Sequence, residues 1–415
     1  MQNGSAPAAT PFPAATPFPA ATLFPAATLS PVAILSDAGY QTYLGSYSAL
    51  DRYFRTDGSP SEIVLTRGDL IALARLFDEL TFPGFPLEHA ATRAGDRSVF
   101  FRCADDSEPW ARNPFTVLDL RYDPRTGVFH DPHGIYGDLR RAELVPVPGV
   151  HAEWVRLTEA ARLVSRYHYG ADPAGLTLRR EPPPVAPEYQ RQILCEILNS
   201  PYPEKGLDLL LQAGLVELWW PELSALVGVD HAKEHHPEGG GWQHTLATFA
   251  HRKRADLILS LALLLHDVGK ASARPIGRKR FFAHADIGAQ VARRFLRRLG
   301  FDQPVVDEVG FLVRYHMMPG AMRERGASPG RRALLERIMA EPAFPRLLEL
   351  FRADTLATFA SPEPYYRACR IYRSYRGGGP ADEAPVRVKK NRPPHGRRPT
   401  GTKRRRVRRR SGQNG

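Results

Sequence analysis

The longest apolar segment of the chain runs from Leu257 to Leu265 and reads LILSLALLL. Leucine, isoleucine and alanine favour helix, and the near absence of polar positions predicts that this helix is buried. It ends at adjacent His266 and Asp267, which Gly269 and Lys270 follow. Burying an adjacent histidine and aspartate is costly without a partner, and both side chains bind divalent cations well. The pattern therefore predicts a metal site at the end of this helix.

Further histidines and an aspartate lie inside apolar or helix-like segments on both sides of this helix. They are His244, His284 in RFFAHADIGA, His316 in LVRYHMMP and Asp354 in FRADTLAT. Each one alone is more often a hydrogen-bonded core residue or a surface carboxylate. The whole set in this order favours a metal centre.

The pattern changes along the rest of the chain. Residues 36–147 mix strand-like segments, such as EIVLT, with an amphipathic helix, DLIALARLFDEL. Residues 148–229 show helical spacing, with two helices joined by a turn at Asn199 to Pro203. The fold class is therefore α+β: a small mixed α/β head at 36–147, a helical neck at 148–229 and an all-α domain at 230–375.

Both ends differ from this pattern, and we predict that residues 1–35 and 376–415 are disordered. Pro7 to Ser30 holds four copies of a Pro/Ala/Thr hexapeptide without strand-like alternation. From Val386 to the end there are thirteen Lys and Arg and no Asp or Glu, which equals the whole formal charge of +13. Such a run binds polyanions without reading sequence. The candidate nucleic-acid contacts are Arg404, Arg405, Arg406, Arg408, Arg409 and Arg410.

Cysteine content and hydropathy indicate the cellular compartment that we expect for this protein. Cys103, Cys195 and Cys369 are scattered and form no CxxC pair, which fits a reducing compartment, and we expect a cytoplasmic protein. Because no apolar run reaches about 18 residues, we expect no membrane partner.

Several of these segments resemble a known family. HPEGGGWQHT (236–245), LLLHDVGK (263–270), the RFFAHADIGA block and LVRYHMMP resemble the HD domain of bacterial CCA-adding tRNA nucleotidyltransferases and related poly(A) polymerase proteins. Gly240 departs from that family, which often has Asp there. The order His, His-Asp, Asp is similar to the wider HD superfamily of metal-dependent phosphohydrolases.

The head resembles the same family, with departures. RNPFTVLDLRYDP (112–124) and DPHGIYGDL (131–139) are similar to conserved head segments, but Pro114 and Leu118 stand where the family has Asp and Asn. The family also has a paired-glycine loop and a D-x-D pair, which hold nucleotide phosphates and two magnesium ions. Here the corresponding segments are YLGSYSALD, which has no paired glycine, and SEIV, in which Glu62 is the one carboxylate. We therefore expect the transferase head to be inactive.

The resemblance and these departures together imply an HD-domain metal-dependent phosphohydrolase acting on nucleotide or RNA-end phosphoesters. His244, His266, Asp267 and Asp354 would bind a first metal, and Asp267 could bridge to a second. His284 and His316 would bind that second metal or hold the phosphate. The metal would be Mn, Ni, Co or Mg. Asp267 and Lys270 would be catalytic. Lys270, Arg278 and Arg280 would contact the phosphate of the substrate. Other basic clusters, such as His251–Arg254, would border the site. The alternatives are an active CCA-adding or poly(A)-adding transferase and a non-catalytic RNA-binding protein. The expected partner is RNA, including tRNA, or a nucleotide phosphoester.

Overall fold

The computed structural model describes most of the chain between Ser30 and Gly377. The described residues are 30–56, 61–95, 97–104, 110, 112–167, 169–179, 182–229, 240–276, 280–322, 328–359 and 361–377. The Pro/Ala/Thr repeat, the HPEG letters of the HD-like segment, Arg278 and the basic tail were singled out in the sequence and lie outside these residues.

The head is a mixed six-stranded sheet with helices on both faces. In the sheet the strand order is β3-β4-β2-β1-β5-β6, with β2 and β4 parallel and the other neighbours antiparallel. The elements are α1 (Pro31–Asp37), β1 (Thr42–Gly45), α2 (Ser46–Phe54), β2 (Ser61–Thr66), α3 (Leu70–Leu76), β3 (Ala90–Ala94), β4 (Arg97–Cys103), β5 (Arg121–Asp123), β6 (Val128–His130) and α4 (Tyr136–Arg141).

Side chains that alternate along β2 contribute to two hydrophobic cores, one on each face of the sheet. Val64 belongs to a small core shared with Val32 and Leu35 of α1, whereas Ile63 belongs to the large core that continues into the neck. Successive strand residues point to opposite faces, so one strand serves both cores. Helix α1 begins at Pro31, before the boundary predicted at residue 36, because its two apolar side chains close the outer face of the sheet.

The neck is helical, as the spacing predicts. It consists of α5 (Glu153–Tyr167), α6 (Pro187–Asn199), α7 (Pro203–Gln212), α8 (Leu215–Trp219) and α9 (Pro221–Ser224). A buried ionic network ties α5 to the head and to α6. Arg162 contacts Glu159 at 2.6 Å and also pairs with Glu196, while the hydroxyl of Tyr47 donates to Glu159 at 2.8 Å. These buried charges hold one another in place, because removing one would leave the others unpaired.

The C-terminal region is a helical domain with one hairpin. Its elements are α10 (Gly241–Phe249), α11 (Leu257–Leu265), β7 (Arg274–Ile276), β8 (Arg280–Phe282), α12 (His284–Arg298), α13 (Gln303–Tyr315), α14 (Pro329–Ala340), α15 (Phe344–Phe359) and α16 (Glu363–Tyr375). The buried helix predicted over Leu257–Leu265 begins and ends at those residues, and its side chains from Leu259 onwards are buried. The hairpin β7–β8 is the one departure from the all-α prediction among the described residues. None of the described helices combines the length and apolar content that crossing a bilayer requires.

Candidate metal centre

Six histidine and aspartate side chains converge where the helices of the C-terminal domain meet. They come from the middle of α10, the end of α11, the first residue of α12, the end of α13 and α15. The six are His244, His266, Asp267, His284, His316 and Asp354. Every residue that the sequence suggested as a metal ligand is therefore present in one cluster, and the six form two sets of three.

The first set joins His244, His266 and Asp354. The Nε2 atom of His244 lies 3.1 Å from an Asp354 oxygen and 3.4 Å from Nε2 of His266. The other ring nitrogen of His266, Nδ1, lies 2.8 Å from the carbonyl oxygen of Leu263. Because a carbonyl can only accept, Nδ1 carries a proton and donates it. In the neutral ring this leaves the lone pair of Nε2 directed at the cluster.

The second set joins Asp267, His284 and His316. The Nε2 atoms of the two histidines are 3.3 Å apart, and each lies 3.8 Å from Oδ1 of Asp267. His316 repeats the arrangement of His266, since its Nδ1 lies 2.7 Å from the carbonyl oxygen of Val313. The other oxygen of Asp267, Oδ2, is 3.3 Å from Nε2 of His266. Asp267 therefore contacts both sets and is placed to bridge two ions.

The spacing fits a divalent cation. Ligands bound at about 2.1 Å lie roughly 3.0 to 3.4 Å apart around an octahedral or tetrahedral ion. The closest donor pairs in this cluster are separated by 3.1 to 3.4 Å. Imidazole nitrogens that face one another at this distance repel unless a proton or a cation lies between them. A divalent cation is the cofactor that this donor set indicates, and a bound cation would supply Lewis acidity.

Burial and neighbouring charges set the protonation of the ligands. Burial lowers the pKa of His316 to about 4, so this ring is neutral near pH 7 and ready to bind a metal. Burial also acts against the charged form of His266, but the carboxylate of Asp267 raises the pKa of that ring overall. Burial opposes the charge of Asp354, yet its hydrogen bond with His244 and the charge of His266 hold the pKa of that carboxyl well below its usual range. Any proton that His266 carries on Nε2 would have to leave before this nitrogen could bind a metal.

Gly269 allows the turn after Asp267 to pack closely against the start of α12. A Cβ atom at this position would lie 2.0 Å from the carbonyl oxygen of His284 and 2.5 Å from the backbone nitrogen of Gly288. The turn that follows Asp267, a 3₁₀ turn over Val268–Ala271, therefore packs directly on the start of α12. This contact brings His284 to Asp267.

The described basic residues predicted to contact or border a phosphate do not lie together at the His/Asp cluster. The ammonium of Lys270 lies 2.5 Å from Oδ2 of Asp267, so it neutralises a ligand carboxylate. The backbone of Arg280 lies in β8, and Arg278 is outside the described residues. Arg252 and Arg254, predicted to border this site, instead line a separate cleft between the head, the neck and the helical domain.

A second polar cleft lies in the head, and the sequence did not single it out. Asp119 is buried there and accepts hydrogen bonds from Arg112 at 2.6 Å and from the backbone and side chain of Asn113, each at 2.9 Å. Arg121 and the ring of Trp110 line the same cleft, 5.2 Å apart. The sequence feature that could have indicated this cleft is the charged residues of RNPFTVLDLR, which interrupt an otherwise largely apolar segment.

The fold and the site together define the class of protein. A mixed-sheet head is joined by a helical neck to a helical domain whose His/Asp cluster fits a divalent cation. The HD domain family model matches residues 241–358. The structure is similar to that of the Bacillus stearothermophilus CCA-adding enzyme in complex with CTP, with a TM-score of 0.52 and 18% identity over 83% of this chain and 80% of that chain. At 18% sequence identity, this similarity shows that the two proteins share a fold and nothing further.

Sequence comparison identifies the family. The chain is 34% identical over 301 residues to the CC-adding tRNA nucleotidyltransferase of Thermus thermophilus, covering 66% of this chain and 67% of the relative. It is 31% identical over 291 residues to the multifunctional CCA protein of Halorhodospira halophila, covering 66% and 65%. The A-adding tRNA nucleotidyltransferase of Deinococcus radiodurans is 34% identical over 229 residues, covering 50% and 51%. The chain belongs to the tRNA nucleotidyltransferase family and spans between half and two thirds of these relatives.

These comparisons correct the function predicted from the sequence. The prediction of a phosphohydrolase with an inactive transferase head is wrong, because relatives that match 66% of this chain are named as a tRNA nucleotidyltransferase and a multifunctional CCA protein. The departures at the D-x-D position do not exclude the chain from this family. The comparisons favour the transferase alternative, and the protein is an enzyme related to tRNA nucleotidyltransferases.

Proposed function

We propose that this protein adds nucleotides to the 3′ end of tRNA. The observation that carries the proposal is the relationship to a CC-adding tRNA nucleotidyltransferase over 301 residues, which covers 66% of this chain and 67% of that relative. In this reaction the 3′-hydroxyl oxygen of the RNA forms a bond to the α-phosphorus of a nucleoside triphosphate. The bond from that phosphorus to pyrophosphate breaks, and the hydroxyl proton is lost to solvent or to a base.

The head cleft has the chemistry of a nucleotide site. Arg121 and Arg112 provide cations for a triphosphate, and Trp110 provides an aromatic face for a base. Burial lowers the pKa of Arg121, with Asp119 acting in the opposite direction. A guanidinium that is partly removed from water gains more from an incoming phosphate than an exposed one would. We therefore assign nucleotide binding to this cleft.

Among the described residues, neither the head cleft nor the D-x-D position in β2 offers a pair of carboxylates for a metal ion. Both oxygens of Asp119 already accept N–H donors, and in β2 Glu62 is the one carboxylate. Burial raises the pKa of Glu62, which weakens it further as an anionic ligand. Asp57 lies just before β2, outside the described residues. We derive no metal-dependent step from the head and assign the metal ligands of the helical domain, His244, His266, Asp267, His284, His316 and Asp354, to the cation centre described above.

Nucleotide incorporation tests the proposal. Purified full-length protein would be incubated with magnesium or manganese and with tRNA transcripts that lack their 3′ end, end in one C, or end in CC. CTP alone, ATP alone and both together separate CC addition from A addition. We expect incorporation of at least one of the two nucleotides. Arg121→Ala should lower it about tenfold or more, because one charge-assisted phosphate contact is removed.

Arg125→Ala is the matched control. Arg125 is an exposed arginine in the turn between β5 and β6 and does not line the cleft. It should incorporate nucleotide at the parental rate. No incorporation above the level without enzyme, on every transcript and with either metal, would reject the proposed function.

The basic tail is a further proposed RNA contact. Its thirteen positive charges beyond Pro385 would release counterions from RNA without recognising sequence. Truncation after Pro385 should weaken tRNA binding and flatten the dependence of the dissociation constant on salt. If the truncated protein binds with the same affinity and salt slope, the folded domains carry the binding.

A further inference from the structure

A cleft at the junction of head, neck and helical domain is lined by basic side chains. Thr56 follows α2 of the head, Arg166 and Asn199 belong to the neck, and Arg252, Lys253 and Arg254 follow α10. Among the described residues, no carboxylate lines this cleft. It is separate from the metal centre, whose six ligands are not part of its wall.

Arg252 is a partly buried cation held by neutral groups. Its guanidinium donates to the carbonyl oxygens of Leu198 and Ser200 and to the hydroxyl of Ser260. Within the described residues it forms no ion pair. Burial lowers the pKa of Arg252, and the more distant Glu204 and Asp256 act in the opposite direction. Holding a guanidinium away from water without a direct anionic partner is costly, and an incoming anion would reduce that cost.

The neighbouring cations differ in whether they are already neutralised. Arg166 is paired with Asp51 through two hydrogen bonds, at 2.6 and 2.7 Å. Lys253 is paired with Glu349 at 2.8 Å. Arg254 is exposed and has no ion pair or hydrogen bond to a described residue. Arg252 and Arg254 therefore leave an excess of positive charge at the wall of the cleft.

We infer that this cleft binds the phosphodiester backbone of the RNA substrate. The inference rests on the proposed function, because tRNA is the polyanion that a nucleotidyltransferase of this kind must hold. The cleft joins all three parts of the molecule, so a strand bound in it would contact the head, the neck and the helical domain together. Guanidinium groups suit phosphate through two parallel N–H donors, and Asn199 and Thr56 add neutral polar groups at the rim.

Salt-dependent binding of tRNA to full-length protein tests this inference. Arg254 is the residue to change, because Arg252 holds backbone carbonyls and its loss would disturb the fold. We expect Arg254→Ala to weaken tRNA binding about threefold to tenfold and to reduce the slope of log K against log salt by about one, as one phosphate contact is lost. Arg254→Glu should weaken binding further.

Arg297→Ala and Arg297→Glu are the matched controls. Arg297 is an exposed arginine on α12, carries the same charge and does not line the cleft. They should retain the parental affinity and slope. Equal effects at the two positions would mean that only overall charge matters and would overturn the inference, as would unchanged binding in both Arg254 variants or no tRNA binding by the parent.

Inorganic phosphate distinguishes a backbone site from a site for a small anion. Phosphate should compete with tRNA no better than chloride at equal ionic strength, because one isolated anion gains only part of the contacts. Saturable competition by phosphate that Arg254→Ala abolishes would instead assign the cleft to a free phosphate and overturn the RNA inference. Binding is measured without nucleotide, so a protein that binds through Arg254 but does not incorporate nucleotide would reject the proposed transfer and leave this inference standing.

Discussion

Replacing Asp267 with asparagine probes the metal centre most directly. Asp267 is the carboxylate that contacts both ligand sets, with Oδ2 at 3.3 Å from His266 and Oδ1 at 3.8 Å from both His284 and His316. Asparagine keeps the volume and one ligand oxygen but removes the negative charge. Unit charges about 4 Å apart interact by roughly 4 kcal/mol at the effective dielectric of a protein site, and the amide dipole recovers part of this. We expect the affinity for divalent metal to fall about 100-fold, or roughly 2.7 kcal/mol.

Metal-dependent stabilisation gives a measurement that does not need activity. A cation present at about 100 times its dissociation constant stabilises the folded state by roughly 2.7 kcal/mol. At the same manganese concentration a variant that binds 100-fold more weakly gains only about 0.4 kcal/mol. Calorimetric titration of metal-free protein with manganese and denaturant unfolding with and without manganese would measure the two quantities.

Asp286→Asn is the matched control for this prediction. Asp286 is an exposed carboxylate on α12 that pairs with Arg314 at 3.0 Å and belongs to neither ligand set. Its manganese affinity should equal that of the parent. If Asp267→Asn binds manganese as tightly as the parent, or if the parent binds no divalent cation, Asp267 does not hold a metal and the assignment of the centre fails.

Three further predictions concern packing, buried charge and thiols. Gly269→Ala should destabilise the protein by about 1–3 kcal/mol in denaturant unfolding and weaken manganese binding, because the added Cβ would collide with the start of α12; unchanged stability would contradict the close contact. Arg162→Ala should cost about 3–5 kcal/mol in the same assay, since it leaves Glu159 and Glu196 buried without their cation; a loss below about 1 kcal/mol would mean that water replaces it. Burial raises the pKa of the Cys195 thiol to about 12, so mass spectrometry after iodoacetamide treatment at pH 8.5 should find Cys195 unmodified in the native protein and labelled in guanidinium. Because this thiol keeps its proton in the folded state, its contribution to stability should be present below pH about 9 and be lost as the pH rises towards 12.

The sequence pattern alone located the helices that carry the candidate metal ligands. LILSLALLL is apolar over nine residues, and such a segment is stable only when buried, so the helix and the position of His266 at its end followed from composition. The order of His244, His266-Asp267 and Asp354 indicated the HD domain through its resemblance to that superfamily, and each residue lies in an apolar or helix-like segment. Local spacing also placed the neck helices, including the turn at Asn199 to Pro203.

Tertiary structure decided which of these side chains meet and which do not. The two ligand sets combine residues up to 110 positions apart, and only the packing of α10, α11, α12, α13 and α15 sets their spacing. The position of Arg252 depended in the same way on contacts distant in sequence, because its guanidinium donates to the carbonyl oxygens of Leu198 and Ser200 and lines the junction cleft. The head cleft was not predicted because Asp119, Arg112 and Trp110 converge through loops and strand ends that have no periodic signal. Periodicity records which face of an element is buried, whereas the partner of a polar side chain is fixed only when separate elements pack together.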